Sequence, residues 1–289
     1  MADRAFGPLQ GVTVLELCQQ MAGPTCGLML ADMGADVIKI EKINGGDDTR
    51  RSVPPEIEGQ SAAFLMMNRN KRGVVLDLKS DAGRDAFNKL ARTADVVIEN
   101  FRPGVMERLG LGAESLAATN PRLIYCAISG YGQDGPMARR PAYDHVVQAV
   151  SGMMTTNGDD SGRPRRVGFP MIDYVAGLSA AFAISSALYQ RERSGAGQII
   201  DVAMMDAAVA IMAPAMAPHL QGITPPQRTG DRAASGSPFS GMFETADGLL
   251  ALAANAPHQA KALALAIDRE DLVTDPRMAE WGGNSDYVA

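Results

Sequence analysis

The sequence is poor in the residues that build disulfide frameworks and zinc sites. Its three cysteines include no CxxC pair, so a disulfide-stapled secreted fold is not expected and a reducing compartment fits best. The three histidines, His145, His219 and His258, are far apart and lack the spacing of metal ligands. We therefore predict no metal site and a cytoplasmic location.

Long apolar runs and a strong excess of one charge are also missing. No stretch approaches the roughly 18 uninterrupted apolar residues of a membrane span, and the N-terminal residues MADRAFGP contain no apolar signal segment. The 27 basic and 33 acidic residues give a net charge of −6 without a basic stripe. The composition therefore favours a soluble protein without a membrane or nucleic-acid partner.

Short apolar segments alternate with helix-period segments through most of the first 200 or so residues. Strands are predicted at 11–17, 36–41, 95–99, 123–129 and 198–202, and helices after Pro24, Ser80 and Pro103 and from near Asp173. Strands separated by helices in this way form parallel sheets covered on both faces. We therefore predict an α/β fold with a doubly wound, Rossmann-like parallel sheet.

Turn-forming residues interrupt this pattern beyond Met216. Prolines and glycines punctuate the chain from Pro218 to Pro238, before a predicted hairpin around the turn dipeptide Asp247-Gly248. We predict a large domain at 1–216, a linker at 217–236, and the start of a smaller α+β domain at 237–289.

The motifs of several common α/β enzymes are absent. The segment CQQMAGPT that follows the first strand lacks the GxGxxG fingerprint of dinucleotide-binding folds. Neither a Walker motif nor a GxSxG elbow occurs in the chain, and Gly195-Ala-Gly197 is interpreted as a turn before a strand. An NAD-dependent oxidoreductase is therefore disfavoured.

A series of short segments resembles, in order and spacing, the signatures of the class III CoA-transferases. They are LEL at 15–17, AGP at 22–24, LADMGADVIKIE at 30–41, NKR at 70–72, ENFRPG at 99–104, NPRLI at 120–124 and ISGYGQDGP at 128–136. The resemblance continues through Asp173, RSGAGQ at 193–198 and TADG at 245–248. It implies an enzyme that moves CoA from an acyl-CoA to a small carboxylic acid, without a permanently bound cofactor, as an interlocked homodimer.

The same resemblance implies that Asp173 is the nucleophile. Its carboxylate would attack the thioester carbonyl of the acyl-CoA to give a mixed anhydride, and the CoA thiolate would then attack the aspartyl carbonyl to give an enzyme thioester. Without the family, Asp173 is predicted to be the N-cap of the following helix. The helix macrodipole at that position favours the ionised carboxylate that the attack requires.

The resemblance also implies a set of CoA contacts, because the phosphates of CoA need cations and its adenine needs a flat surface. Two of them would belong to the loop over the thioester and the rest to the CoA site: Gln20, Met21, Lys42, Leu76, Lys79, Asn100, Phe101, Arg108 and Tyr143. Backbone N–H groups between Gly230 and Gly241 are the candidate oxyanion donors. Taken singly, each charged residue of the set is typical of a solvated surface.

Two other functions remain open. The α-methylacyl-CoA racemases share this fold, but those resembling this chain carry a His where Tyr143 stands, paired with the later aspartate as a second base. If Asp144 begins a helix, His145 would point about 200° away from that His. The other alternative is a CoA-binding fragment without turnover, since family members usually continue beyond residue 289. A truncated chain is expected to be less soluble or less active than a longer one, and the acyl donor and acceptor acid cannot be read from the sequence.

Overall fold

The computed structural model describes residues 7–52, 56–158, 162–223, 228, 230–232 and 237–275. They divide between two compact units, the first within Met1–Met153 and Val167–Met216, the second within Met154–Arg166 and Ala217–Ala289. The first unit ends at Met216, but the linker predicted at 217–236 stays a prediction because much of it lies outside the described residues.

The described strands are β1 (Thr13–Leu17), β2 (Asp36–Glu41), β3 (Glu56–Ile57), β4 (Gln60–Ser61), β5 (Arg72–Val75), β6 (Val96–Glu99), β7 (Ile124–Ser129), β8 (Gln198–Ala203), β9 (Ser240–Glu244) and β10 (Leu249–Ala253). Six of them form one parallel sheet in the order β5-β2-β1-β6-β7-β8. The predicted parallel sheet is thus confirmed. Strand β5 was not predicted, because an exposed edge strand of sequence RGVV has no continuous apolar run.

The described helices are α1 (Ala22–Asp32), α2 (Thr49–Ser52), α3 (Ala62–Asn68), α4 (Asp81–Ala91), α5 (Val105–Arg108), α6 (Ala113–Thr119), α7 (Asp144–Val150), α8 (Met153–Thr156), α9 (Met171–Ser194), α10 (Met204–Ile211), α11 (Ala213–Leu220) and α12 (Pro257–Ala266), with a 3-10 turn at Glu270–Val273. Ser80 caps α4 as predicted, its Oγ accepting from the Gly83 N–H at 3.1 Å. Helix α1 begins two residues before the predicted Pro24, and Gly34 follows its end with φ +97°.

The core of the first unit lies on both faces of the sheet. Successive residues of β1 illustrate this, because Val14 packs with α1, α9 and α10 while Leu15 packs with α4, α5 and α6, and both side chains are fully buried. The central strands therefore bury side chains on both faces, which explains why apolar residues predominate in their sequences.

Helix α9 is, by length and composition alone, long and apolar enough to cross a membrane, with a mean hydropathy of 1.5 over 18 residues. In the fold it packs against α1 and the sheet through buried small residues such as Ala176 and Ala180. Near its end the buried Arg191 forms a 2.8 Å ion pair with Asp95. These contacts are typical of a core helix.

The second unit contains the predicted hairpin. Strands β9 and β10 pair antiparallel, and the Thr245 N–H donates to the Gly248 carbonyl at 2.9 Å across the turn. The first strand lies at 240–244, against the predicted 242–245.

The contact between α1 and α9 depends on Gly177. A Cβ atom at this position would lie 2.6 Å from the Cβ of Thr25 and 2.7 Å from the carbonyl oxygen of Ala22. Both distances are shorter than van der Waals contact, and one involves backbone that cannot rotate away. Gly177 therefore sets the separation of the two helices one turn after Asp173.

We expect Gly177→Ala to destabilise the protein by about 1–3 kcal/mol, because overpacking outweighs the gain in helix propensity. The exposed Ser186 on the same helix provides the control, since Ser186→Ala should leave stability unchanged or slightly raised. Urea unfolding of both variants measures the difference. Equal stabilities for the two variants would contradict the proposed close contact.

Candidate active site

Asp173 is the third residue of α9 and is half-buried. The predicted N-cap role is wrong: the helix begins at Met171, and Pro170 occupies the capping position. Two N–H groups of the first turn, which have no partner within the helix, instead donate to Asp144. Its Oδ2 accepts from Ile172 N at 2.7 Å and from Asp173 N at 3.2 Å. A carboxylate 29 positions earlier in the chain thus caps the helix, which local spacing could not reveal.

Asp144 is in turn held by Gln148 on the same helix. The Gln148 amide Nε2 donates to Asp144 Oδ1 at 2.5 Å, and its Oε1 accepts from the Val167 N–H at 2.9 Å. Both side chains are buried. This network fixes the start of α9 relative to α7, and the sequence analysis did not include Asp144 or Gln148 among the site residues.

Burial, and secondarily the negative charge of Asp144, raises the pKa of Asp173 to about 7. The helix macrodipole was expected to favour the ionised carboxylate, whereas burial and the Asp144 charge favour the protonated form. A carboxyl group taken out of water next to a second carboxylate is more easily protonated, and here these two effects dominate. Within the described residues, the Asp173 carboxylate accepts no hydrogen bond that would offset them.

Asp173 lines a cavity of about 370 Å³ at the carboxyl ends of β1, β6 and β7. The loops that follow these strands form its walls, as is usual for ligand sites in open α/β sheets. Five predicted CoA-site residues line the same cavity: Gln20, Met21, Asn100, Phe101 and Tyr143.

A second cavity, of about 530 Å³, lies next to the first one, and Gln19 and Phe101 line both. Three further predicted contacts, Lys42, Leu76 and Lys79, line this second cavity. Arg108 lines neither cavity, although its neighbour Leu109 does. Eight of the nine predicted contacts therefore surround two adjacent cavities, one of which contains Asp173.

Two arginines in the first cavity were not predicted. Arg102 and Arg140 line it together with Asp173, both are exposed, and neither forms a salt bridge within the described part of the chain. Arg102 belongs to the ENFRPG segment, which could have drawn attention to it. The cavity thus combines one carboxylate of raised pKa with two guanidinium groups.

The racemase alternative depends on Tyr143, the residue before Asp144, because a racemase needs a second base at that position. Asp144 does begin a helix, α7, with Tyr143 as its N-cap. His145 is the second residue of that helix, and its ring stacks on that of Tyr143 with a centroid distance of 6.1 Å. A phenol, and not an imidazole, thus stands at the position where the resemblance implies the second base of a racemase.

The structure does not determine a distance between Asp173 and the candidate oxyanion loop at Gly230 to Gly241. Residues 233–236 lie outside the described residues, and the remainder belongs to the second unit. The assignment stays a prediction.

Comparison with known proteins identifies the family. The model of CoA-transferase family III matches residues 9–286. The chain belongs to this family. It is 42% identical over 278 residues to succinate–glutarate CoA-transferase of Agrobacterium fabrum and 43% identical over 284 residues to acetyl-CoA:oxalate CoA-transferase of Acetobacter aceti. These alignments cover 94% and 98% of this chain and 69% and 72% of the two relatives.

A crystal structure of a CAIB/BAIF family protein from Brucella suis matches this CoA-transferase with a TM-score of 0.84 and 38% identity, over 96% of this chain and 74% of the other. The resemblance inferred from the short sequence segments is thereby confirmed. The protein is a class III acyl-CoA:carboxylate CoA-transferase, and acyl-CoA is its substrate.

The Asp144 charge provides a test of the site electrostatics. Asp144→Asn removes a negative charge next to Asp173 but keeps an oxygen that can cap α9, so the pKa of Asp173 should fall. If ionised Asp173 takes part in catalysis, the acid limb of kcat/KM should therefore move below the wild-type value, which is expected near the Asp173 pKa of about 7. Rates of this CoA-transferase measured between about pH 5 and pH 8 report this limb.

Gln148→Leu is the matched control, because it breaks the same network but keeps the Asp144 charge. Its acid limb should not move to lower pH. An unchanged acid limb in Asp144→Asn would contradict the electrostatic coupling of the two carboxylates.

Proposed function

We propose that this chain transfers CoA between acyl groups through covalent intermediates on Asp173. The observation that carries the proposal is the half-buried Asp173 carboxylate, without a hydrogen bond in the described structure, in one cavity with the predicted thioester-loop residues Gln20 and Met21. A carboxylate that has lost water and has no compensating donors is a reactive nucleophile. The CoA contacts and the homodimer implied by the resemblance are part of the same proposal.

The proposed reaction balances without water or added protons. An oxygen of Asp173 bonds to the thioester carbon, and the C–S bond breaks to release CoA thiolate and leave a mixed anhydride. The thiolate attacks the aspartyl carbonyl and expels the donor carboxylate, which leaves CoA on the enzyme as a thioester. The acceptor carboxylate reverses these two steps, so Asp173 is regenerated as a free carboxylate. Both anhydride and thioester retain the acyl activation that hydrolysis would lose.

We further propose that the acceptor is a small dicarboxylic acid. The relatives from Agrobacterium fabrum and Acetobacter aceti are named for succinate, glutarate and oxalate. In this chain Arg102 and Arg140 line the cavity of Asp173 without ion-pair partners among the described residues. A guanidinium binds a carboxylate through paired hydrogen bonds. One carboxylate of the acceptor would react while the second pairs with an arginine.

Replacing Asp173 with Ala or Asn should abolish turnover but change CoA affinity by only a few-fold, since the implied CoA contacts are other residues. The assay measures CoA exchange between acyl-CoA and a panel of acids. Acyl-CoA alone should also modify Asp173 in the wild-type enzyme, detectable by mass after trapping with hydroxylamine or borohydride. Turnover by the Asp173→Ala variant would rule out Asp173 as the nucleophile.

The racemase alternative has its own measurement. Exchange of the α-hydrogen of 2-methylacyl-CoA for deuterium, at a rate equal to that of CoA transfer, would favour a racemase.

The stability of Asp173→Asn controls for unfolding. The pKa of Asp173 is raised from 3.8 to about 7 in the folded protein, so the folded state binds the proton more tightly than the unfolded state. The resulting stabilisation is fully present below pH 3.8 and is lost as the pH rises through about 7. Wild-type enzyme at pH 8 therefore carries a cost that the neutral Asn variant lacks. The inactive variant should melt at a higher temperature at that pH.

Arg140→Gln should lower kcat/KM for dicarboxylic acceptors about 10-fold or more, because a charge-assisted hydrogen bond is lost, while monocarboxylic acceptors are affected less. Arg139→Gln is the control, since the neighbouring arginine is also exposed but does not line the cavity. The selectivity between glutarate and butyrate, measured for each variant, separates the effects. An equal loss for both acids would contradict a role in binding the second carboxylate.

A further inference from the structure

Four charged residues are buried together behind the loop that follows β1, and one of them, Asp47, lines the second cavity. Lys39 Nζ lies 2.9 Å from Glu16 Oε1 and 2.9 Å from Asp47 Oδ2, and Lys71 Nζ lies 2.7 Å from Glu16 Oε2. Each side chain is at most 3% exposed. We call these four residues the buried charge network. Because ions lose their hydration when they are buried, such a network stabilises the fold less than apolar packing of the same volume would. Its retention here is better explained by a role in positioning the residues that it binds.

The network holds the backbone of the loop at Cys18–Met21, which connects β1 to α1. Lys39 Nζ donates to the Cys18 carbonyl at 2.7 Å, and Asp47 Oδ1 accepts from the Gln20 N–H at 3.3 Å. Asp47 is itself oriented by Thr49, whose N–H and hydroxyl donate to the same oxygen at 2.9 Å and 2.7 Å. Two members of the network therefore bind the loop directly.

Asn100 binds the same loop from β6. Its Oδ1 accepts from the Gln19 N–H at 2.9 Å, and its Nδ2 donates to the Gln19 carbonyl at 2.7 Å. Three consecutive residues, 18, 19 and 20, are thus each held through the backbone by a side chain from another segment. These partners from other segments therefore help to fix the loop conformation.

The conformation that they hold is strained. Gln20 has φ +65°, a left-handed conformation that costs a non-glycine residue on the order of 1 kcal/mol or more. Gln20 also lines the cavity together with Asp173. Strain of this kind persists only where surrounding contacts enforce it, and it often occurs at functional sites.

Helix α1 is shaped to admit the network. A Cβ atom at Gly27 would lie 1.8 Å from Glu16 Oε2, the oxygen that pairs with Lys71. The helix that begins immediately after the loop therefore approaches the network so closely that only glycine fits. The start of α1, the loop and the buried charges form one packed unit.

We propose that Asp47 and Lys39 are positioning residues for CoA transfer. By fixing the Cys18 carbonyl and the Gln20 N–H, they hold Gln20 in its left-handed conformation, which places the loop against the acyl group attacked by Asp173. This inference rests on the proposed function, in which Asp173 is the nucleophile.

Oδ1 of Asp47 faces the donors of Gln20 and Thr49, and Oδ2 faces the Lys39 ammonium. An Asn at this position has to set its NH2 group against a donor on one of the two sides. The loop is then released, Gln20 relaxes to negative φ, and the loop moves away from the reacting group. A misplacement of about 1 Å can cost on the order of 100-fold in rate.

The test compares Asp47→Asn with Asp95→Asn. Both changes are isosteric and remove one carboxylate from an ion pair with a buried cation. Asp95, however, pairs with Arg191 at the amino-terminal edge of the sheet and lines neither cavity, whereas Asp47 lines the second one. Both variants are expected to melt at a lower temperature. At temperatures well below both melting points, kcat should fall about 10-fold or more in Asp47→Asn and stay within about 2-fold of wild type in Asp95→Asn. Equal kcat values in the two variants would overturn the proposal.

A double-mutant cycle with Gln20→Gly identifies the cause. Glycine adopts positive φ without strain, so Asp47→Asn should have little further effect on kcat in that background, whereas independent effects would multiply. Multiplicative effects would overturn the role through Gln20. If Asp47→Asn does not fold, Thr49→Val, which removes one hydrogen bond to Asp47, takes its place with a smaller expected loss.

The two proposals fail in different ways. If the wild-type enzyme catalyses CoA transfer and the Asp173 variants remain active, the assignment of Asp173 as the nucleophile is wrong. If the Asp173 variants are inactive but Asp47→Asn matches its control, only the positioning role is wrong.

Discussion

The geometry of the site depends on how the amino terminus of α9 is satisfied. The Asp144 carboxylate accepts from the N–H groups of Ile172 and Asp173, which ties the helix to α7. The same carboxylate lies close enough to raise the pKa of Asp173. One side chain thus helps to place the proposed nucleophile and also adds to the rise of its pKa, of which burial is the larger cause.

The sheet topology explains where the two cavities lie. β1 sits between β2 and β6, and the chain leaves it in the loop at Cys18–Met21. Loops that follow β1 and its neighbours diverge at the carboxyl edge and leave a crevice there. Gln19 and Phe101, from the loops after β1 and β6, line both cavities. The predicted CoA contacts that line these cavities therefore follow one edge of the sheet.

The sequence predicted the parts of the fold that depend on local pattern. Central strands such as β6 and β7 carry apolar residues on both faces and were identified, whereas the exposed edge strand β5 was not. Asp173 was found through short family signatures that span the chain. Asp144 and Asp47 were missed, because their roles arise from contacts with residues 28 and 27 positions away, Ile172 and Gln20. Lys39 within DVIKIE looked like one polar residue in a strand, and its burial follows only from the three-dimensional packing.

Strand β8, at one edge of the six-stranded sheet, affects how the protein can associate with a second chain. No described strand pairs with the outer edge of β8, whose sequence QIIDVA is rich in β-branched residues and whose Ile199 is 55% exposed. An open edge of this composition can template pairing with a second chain. Asp201 interrupts it near the centre, and its carboxylate accepts from the Gln133 N–H at 2.8 Å. The acidic residue that binds the neighbouring loop also places a charge on this edge, and a charge on an open edge disfavours edge-to-edge pairing.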